Sequence, residues 1–245
     1  MARVEPVPNA PAAVADIGGE SALVVADYHA GIERSLRREG LEVQSQAEAR
    51  RDRVLSLVVS EGVDRVVFLG DLGQQIGEPE GAEREEIEAL VREIPVPVTL
   101  VRGNHDGDVE NVLDIEVTDG TGVRMGDVGF AHGHTWPNRD VLAADVVCVG
   151  HEHPAVRLAD EVGGSQVERA WLRGPLARGP FVDHFEEDVR VDAELVVFPA
   201  FNDLCGGTWV NVEGQGFLSP FLPEALPAAD VYLLDGTRLG DYRHL

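Results

Sequence analysis

Short polar signatures recur along the chain, and each carries side chains that bind divalent cations. In chain order they are Asp27-Tyr28-His29, Gly70-Asp71, Gly103-Asn104-His105-Asp106, His132-Gly133-His134 and Gly150-His151-Glu152-His153. The first, second, third and fifth directly follow an apolar, strand-like run. As candidate ligands they supply two carboxylates, one carboxamide and at least four imidazoles. This inventory suits two adjacent divalent cations, and it predicts metal-assisted attack of hydroxide on phosphorus.

Buried strands are needed to bring these signatures to one place. The apolar runs predict strands over residues 22–26, 66–69, 98–101 and 145–149, with a strand or hairpin over 123–131. Helices are predicted over 34–60, in two parts broken near Gly40, and over 83–93. Ligands at the carboxyl ends of buried strands converge on one crevice, so turns far apart in sequence can surround the same cations.

The second half of the chain has a different pattern. Short strand-like segments lie near residues 155–159, 167–172, 194–198, 208–212 and 231–234, separated by Gly and Pro. Because there is no internal repeat and no long linker, we expect a single domain over residues 1–245. Within it, the Pro-rich residues 1–12 are predicted to be a loose arm, and residues 155–245 a mostly β second half.

The charge of the chain is extreme. The formal net charge is −24, and all 20 basic residues are Arg because the sequence contains no lysine. The apolar periodicity is too regular for a disordered chain. We therefore expect a protein of a halophilic archaeon, in which molar salt screens repulsion beyond about 3 Å and surplus carboxylates keep the surface hydrated.

Several function classes are excluded by what the sequence lacks. Without lysine there is no Walker A loop and no Schiff-base chemistry. Cys148 and Cys205 are too few for a disulfide framework, and Cys148 lies in an apolar run typical of a core residue. We expect a cytoplasmic protein, since the sequence shows neither a secretory leader nor an apolar run of membrane length.

The types of candidate ligand narrow the choice of metal. Asp71 follows Gly70, which permits a tight turn, and a carboxylate bridges two cations well, so Asp71 is assigned as the bridging ligand. Asn104 offers a neutral oxygen. Mixed Asp, His and Asn ligands suit Mn²⁺, Zn²⁺, Fe or Ni better than Ca²⁺ or hydrated Mg²⁺. We expect two divalent cations, with manganese as the first choice.

These signatures resemble those of the calcineurin-like metallophosphoesterase superfamily over residues 22–154. Within it, the chain is most similar to the archaeal SbcD-related phosphoesterases, whose bacterial relatives are associated with DNA ligases. The similarity rests on the small size, on the segment from Asp27 to Glu33, and on two late stretches, residues 198–202 and 217–220. The resemblance implies an α/β fold, a four-layer αββα sandwich.

The resemblance also implies how the ligands divide between two metals. One metal would be held by Asp27, His29, Asp71 and His153, and the other by Asp71, Asn104, His132 and His151. His132 and His134 compete for one role. The family pattern of His followed by Gly favours His132, and it leaves His134 beside the ligands or facing the substrate.

His105 is expected to act on the substrate without binding metal. It would stabilise the transition state and donate a proton to the leaving oxygen, while the metals neutralise charge on the phosphoryl oxygens. A carboxylate would have to hold its proton, and Asp106 and Asp108 are both candidates. Asp106 is alternatively the N-cap of a helix that begins at Val109.

Charge and resemblance together limit the substrate. We expect phosphodiesters of nucleotides or nucleic-acid ends, since a net charge of −24 opposes binding to long duplexes. A phosphomonoesterase with the same site and a scaffold without catalysis are the alternatives. Five arginines in predicted loops could bind phosphates or form surface ion pairs: Arg102, Arg124, Arg139, Arg173 and Arg178. We expect no membrane contact, and the sequence leaves open whether there is a protein partner of the helicase or ligase type.

Overall fold

Residues 3–159, 163–212 and 214–245 are described by the computed structural model. The first of its two sheets consists of β1 (Val4–Pro6), β2 (Ala12–Asp16), β3 (Ser21–Val25), β4 (Arg65–Phe68), β5 (Val98–Val101) and β6 (Glu116–Thr118), in this spatial order. β1 to β3 are antiparallel, and β3 to β6 are parallel. The turns that follow β3, β4 and β5 therefore lie at one edge of the sheet.

The second sheet is formed by the later strands. These are β7 (Val123–Met125), β8 (Val128–Ala131), β9 (Val146–Val149), β10 (Ala155–Ala159), β11 (Ser165–Pro175), β12 (Glu194–Val197), β13 (Asp230–Leu233) and β14 (Arg238–Asp241). Their spatial order is β14-β13-β11-β12-β9-β8-β7, with β10 paired to β11. β8, β9 and β12 are parallel, so the turns after β8 and β9 also share one edge.

The two sheets pack face to face. Alternate residues of the first sheet, among them Val24 and Val67, share an apolar cluster with Phe130 and Cys148 of the second. A strand places alternate side chains on opposite faces. The remaining apolar strand residues therefore point outward, where the sheets need a further covering layer.

Helices supply these outer layers. They are α1 (Ile32–Arg38), α2 (Ala47–Glu61), α3 (Ala82–Glu93), α4 (Arg139–Leu142) and α5 (Gly179–Phe185). Val54 of α2 and Ile87 of α3 belong to the cluster on the first sheet, and Phe181 of α5 belongs to the cluster on the second. This arrangement confirms the predicted four-layer αββα sandwich. None of the helices among the described residues has the length and hydrophobicity needed to cross a membrane.

The strands predicted in front of the signatures are confirmed to within a residue at each end, as β3, β4, β5 and β9. The segment 123–131 forms the hairpin of β7 and β8. The helical segment 34–60 is divided into α1 and α2, and 83–93 forms α3. Short apolar runs were sufficient for the strands, which are buried on both faces, and apolar spacing was sufficient for α2 and α3.

The prediction of a loose arm over residues 1–12 is wrong for the part of it that is described. Val4 is fully buried in the cluster between the sheets, and β1 pairs with β2 from Val4 to Pro6. The prolines suggested a loop, but β1 is the edge strand of its sheet, where one side of the backbone needs no partner and proline is tolerated.

The strand predicted over residues 208–212 does not form. Trp209 makes only a single bridge to Ala155. The N–H of Thr208 donates instead to the carbonyl of Glu152, and that of Val210 to Ala155. This segment is therefore attached to the turn that follows β9.

The buried position of β1 can be tested with two adjacent residues. Val4→Ala should lower the free energy of unfolding by about 2 kcal/mol, because it removes two methyl groups from a packed core. Glu5→Ala, at the exposed neighbouring position, should change it by less than about 0.5 kcal/mol. Urea unfolding in high KCl measures both values, and a Val4→Ala protein as stable as the parent would show that β1 is detached.

Candidate metal centre

All seven predicted ligands lie in turns that follow parallel strands, at the shared edge of the two sheets. Asp27 and His29 follow β3, Asp71 follows β4, Asn104 follows β5, His132 follows β8, and His151 and His153 follow β9. The structure thus brings together residues that are separated by more than 120 positions in the sequence.

The carboxylate of Asp71 lies between two groups of donors. Asp71 Oδ2 is 3.8 Å from His29 Nε2 and 3.4 Å from His132 Nε2. On one side, a carboxylate oxygen of Asp71 lies within 4.8 Å of potential ligand atoms of Asp27 and His29. On the other side, a carboxylate oxygen of Asp71 lies within 4.8 Å of potential ligand atoms of His132 and His151. Asp71 is therefore the residue common to both groups.

The other spacings within each group are similar. His153 Nε2 is 3.3 Å from Asp27 Oδ1 and 3.4 Å from His29 Nε2. In the second group, His132 Nε2 is 3.2 Å from Asn104 Oδ1. With metal–ligand bonds of about 2.0–2.3 Å, neighbouring ligand atoms lie roughly 3–4 Å apart. Both groups therefore have the dimensions and the oxygen and nitrogen donors that a divalent cation requires.

Strained turns hold these ligands. Asp27, His29, Asp71, His151 and His153 all have positive φ, at 56°, 48°, 50°, 67° and 45°. This conformation disfavours any residue with a Cβ and costs on the order of 1–3 kcal/mol per residue. Its concentration at five candidate ligands indicates that the turns are shaped by the site and not by local stability.

His132, not His134, faces the carboxylate of Asp71. His132 is fully buried, and its Nδ1–H donates to the carbonyl of Leu69 at 2.7 Å, which leaves Nε2 free as a ligand. A side chain at Gly70, whose φ is 75°, would collide with the His132 ring. The ring of His134 lies beside that of His132, 5.3 Å away between centroids. Among the described residues, His134 belongs to none of the clusters of potential metal ligands.

The protonation of the site reflects its buried carboxylates. Burial opposes a charge on His132, but Asp71 outweighs it and raises the pKa of His132 to about 9. Burial likewise opposes ionisation of Asp71, but His132 lowers the pKa of that carboxyl. Burial lowers the pKa of His29 to about 4, so this imidazole is neutral and available to a cation.

His105 lies at the mouth of the crevice, with its side chain 24% exposed. Its Nδ1–H donates to the carbonyl of Gln74 at 2.6 Å, and its Nε2 is 3.9 Å from Asp71 Oδ2. Nε2 thus points toward the candidate metal centre. The Gln74 turn is itself held by Glu83, which accepts the backbone N–H groups of Gln74 and Gln75.

In the described part of the chain neither Asp106 nor Asp108 pairs with the His105 ring, and the Gln74 carbonyl accepts the Nδ1–H instead. Asp106 is buried, and it accepts the N–H groups of Asp71, Leu72 and Gly103 at 2.7 to 2.8 Å. Nor is Asp106 a helix N-cap, since the short 3₁₀ turn Val109–Asn111 has Asp108 in that position. Asp106 instead fastens the Asp71 turn to the Asn104 turn, two segments that each carry a candidate ligand.

A buried ion-pair network supports the turn that carries His29. Arg50 of α2 donates to Glu86 of α3 at 2.7 Å and to Glu33 of α1 at 3.3 Å. Glu86 also accepts the backbone N–H of Gly31 at 3.0 Å, and the Arg50 guanidinium lies 5.3 Å above the Tyr28 ring. Three helices are thereby connected to the segment that follows β3.

Comparison with known proteins agrees with this geometry. The family model described as the calcineurin-like phosphoesterase superfamily domain matches residues 21–169, more than half of the chain. The chain belongs to this superfamily. Comparison with curated proteins gave no match.

A solved structure shows the same fold. The crystal structure of the nuclease MPE from Pseudomonas putida is similar, with a TM-score of 0.54 at 20% identity over 95% of this chain and 97% of that one. The phosphoesterase YfcE from E. coli is similar with a TM-score of 0.39 at 17% identity, over 90% and 97% of the two chains. All the ligand positions described above lie inside the matched superfamily domain.

Sequence analysis missed several residues that shape the site. Asn202 donates to the carbonyls of Tyr28 and His29, and Glu152 accepts the N–H groups of Leu218 and Ser219. These contacts attach the stretches 198–202 and 217–220 to the ligand turns. Burial and the nearby Asp27 raise the pKa of Cys205, which also lies at this site. Its position before Gly206-Gly207 was the one local signal available.

The arginines considered as phosphate contacts are engaged elsewhere. Each of them forms an ion pair with an acidic side chain: Arg102 with Glu110, Arg124 with Asp127, Arg139 with Glu187, Arg173 with Glu194, and Arg178 with Asp188. This matches the alternative of surface ion pairs. The charges of these five arginines are therefore already balanced by acidic side chains.

The buried network can be tested by comparing two adjacent arginines. Arg50→Met should lower the free energy of unfolding by about 3 kcal/mol, because Glu33 and Glu86 would stay buried without an opposing charge. Arg51→Met should cost less than about 1 kcal/mol, since its partner Glu93 is solvent-exposed. Urea unfolding of the metal-free protein measures both, and equal effects would contradict a structural role for the network.

Proposed function

We propose that the protein is a phosphodiesterase or nuclease that uses two divalent cations. The observation that supports this most directly is the position of Asp71 between two groups of metal-ligating atoms. Asp27, His29 and His153 would hold one cation with Asp71, and Asn104, His132 and His151 would hold the other. Because Asp71 would be shared, the two cations would lie close enough to bind a phosphoryl group and its nucleophile together.

When bound, the two cations supply positive charge for the phosphoryl oxygens and lower the pKa of water. The protein contributes the arrangement. Asp106 joins the Asp71 and Asn104 turns, and Glu152 attaches the His151 turn to the backbone N–H groups of Leu218 and Ser219. His132 and His153 are fixed in orientation by backbone carbonyls. Such fixed dipoles and ligands need not reorganise as charge develops in the transition state.

His105 is the residue placed to move a proton. Its Nδ1–H is committed to the carbonyl of Gln74, so Nε2 is the atom directed toward the substrate. A protonated Nε2 can stabilise the phosphoryl charge and pass its proton to the departing oxygen. Its partial exposure at the crevice mouth leaves room for a leaving group of variable size.

The substrate class follows from charge and from fold. The chain shares its fold with a nuclease, which supports a phosphodiester of a nucleotide or nucleic-acid end. A net charge of −24 and the pairing of the loop arginines with acidic residues oppose binding along a duplex. A short or terminal phosphodiester requires only the positive charge of the metal centre.

The role of Asp71 is tested by one substitution. Asp71→Asn should abolish hydrolysis of a chromogenic phosphodiester in the presence of Mn²⁺ or Zn²⁺, because the amide cannot bridge two cations. Asp235→Asn, in the exposed turn between β13 and β14, should leave the rate unchanged. Retained turnover in Asp71→Asn would contradict a centre built on this residue.

The role of His105 is tested by separating rate from metal content. His105→Ala should lower turnover roughly 10²- to 10⁴-fold, as expected for the loss of a proton donor, with the same number of bound metal ions. His244→Ala, at an exposed histidine near the C-terminus, serves as the control. Loss of bound metal from His105→Ala would show that this histidine is a ligand.

The preference for diesters is tested with matched substrates. We expect the chromogenic diester to be hydrolysed faster than the monoester with the same leaving group. A diester carries one negative charge and a monoester carries up to two, and the loop arginines that could balance the second charge are paired with acidic residues. Steady-state rates at equal metal concentration give the ratio. Faster hydrolysis of the monoester would identify a phosphomonoesterase and overturn the diester assignment.

A further inference from the structure

Cys205 lies in the candidate metal centre, although it belongs to none of the signatures. The Cys205 sulfur and one ring nitrogen from each of His29 and His153 all lie within 4.8 Å of one another. Cys205 is partly buried, and it is not engaged in a disulfide. The sulfur therefore sits next to two nitrogens that the proposed function assigns to one cation.

The loop that carries Cys205 is built against the ligand turns. The Asn202 side chain donates to the carbonyl of His29 at 3.2 Å, and the N–H of Cys205 donates to the carbonyl of Asn202 at 3.2 Å. On the other side, the His153 Nδ1–H donates to the carbonyl of Gly206 at 2.9 Å. A side chain at Gly207 would collide with the carbonyl oxygen of His153. Cys205 is thus held between His29 and His153 by contacts to both.

The imidazole of His29 provides a second, independent indication of a ligand here. The His29 side chain is only 6% exposed, and its Nδ1 has no hydrogen-bond partner among the described residues. Its Nε2 faces the Nε2 of His153 at 3.4 Å. Two nitrogens and a sulfur around one point form a donor set that is poor for mutual hydrogen bonding and well suited to a cation.

We infer that Cys205 is a further ligand of the cation held by Asp27, His29 and His153. On binding, the thiol would release its proton to solvent, and the thiolate sulfur would complete a mixed nitrogen, oxygen and sulfur donor set. Thiolate is a soft ligand that favours Zn²⁺ over Mn²⁺. The two positions of the centre then differ, because the group of Asn104, His132 and His151 contains no sulfur.

This inference rests on the proposed metal centre. Binding of cobalt distinguishes a wrong role for Cys205 from a wrong metal centre. The protein is loaded with Co²⁺, the bound cobalt is counted by elemental analysis, and the near-ultraviolet absorption is recorded. A thiolate ligand adds a sulfur-to-cobalt charge-transfer band, which imidazole and carboxylate ligands do not give. The parent protein should show the band, and Cys205→Ala should lose it while still binding cobalt.

Cys148→Ala is the matched control. Cys148 is the other cysteine of the chain, and it is fully buried in the apolar cluster between the two sheets. This variant should keep the charge-transfer band. Cobalt bound without the band, or a band that survives in Cys205→Ala, would overturn the role of Cys205 alone. A protein that binds no cobalt would overturn the metal centre, and with it this inference.

Two further measurements do not depend on cobalt spectra. X-ray absorption of the zinc-loaded parent protein should show a sulfur neighbour at about 2.3 Å, and its absence would contradict the inference even if Cys205→Ala failed to fold. Competitive titration should show that Cys205→Ala loses selectivity for Zn²⁺ over Mn²⁺ by about tenfold or more. An unchanged ratio would place the thiol outside the coordination of the metal.

Discussion

The structure depends above all on the negative charge that is enclosed in one crevice. Asp27, Asp71 and Asp106 are nearly inaccessible to water, which is costly unless opposing charges or hydrogen-bond donors replace the solvent. Backbone N–H groups satisfy Asp106. Asp27 and Asp71 depend on imidazoles, which explains why the pKa of His132 is raised to about 9 despite burial. Divalent cations would replace these protons with a larger positive charge at the same place.

The same requirement explains the strained turns and the contacts around them. Ligands can converge only if the chain turns sharply after each strand, and positive φ at residues such as Asp71 and His151 produces that turn. The strain is offset by side chains from other parts of the fold. Arg50 and Glu86 hold the first turn from the helical layer, and Asn202 holds it from the second half of the chain. The four layers therefore serve to fix an arrangement that no single segment could maintain.

Structural features that depend on neighbouring residues could be predicted from the sequence. Features that depend on contacts between distant segments could not. Strands β3, β4, β5 and β9 and the signatures after them could be identified because apolar runs and ligand types are local patterns. β1 was missed because Pro6 and the prolines that follow it resemble a loop, and the edge position of β1 makes Pro6 compatible with a strand. The partner of His105 and the placement of Cys205 depend on how separate loops pack, for which neighbouring residues carry no signal.

Anomalous diffraction tests most directly whether two cations share the Asp71 carboxylate. Crystals of the protein loaded with Mn²⁺, measured near the manganese absorption edge, show the positions of the ions without reference to activity. We expect two anomalous peaks, with the Asp71 carboxylate between them. One should lie beside Asp27 and His29, and the other beside His132 and His151. A single peak, or peaks located away from Asp71, would contradict this expectation.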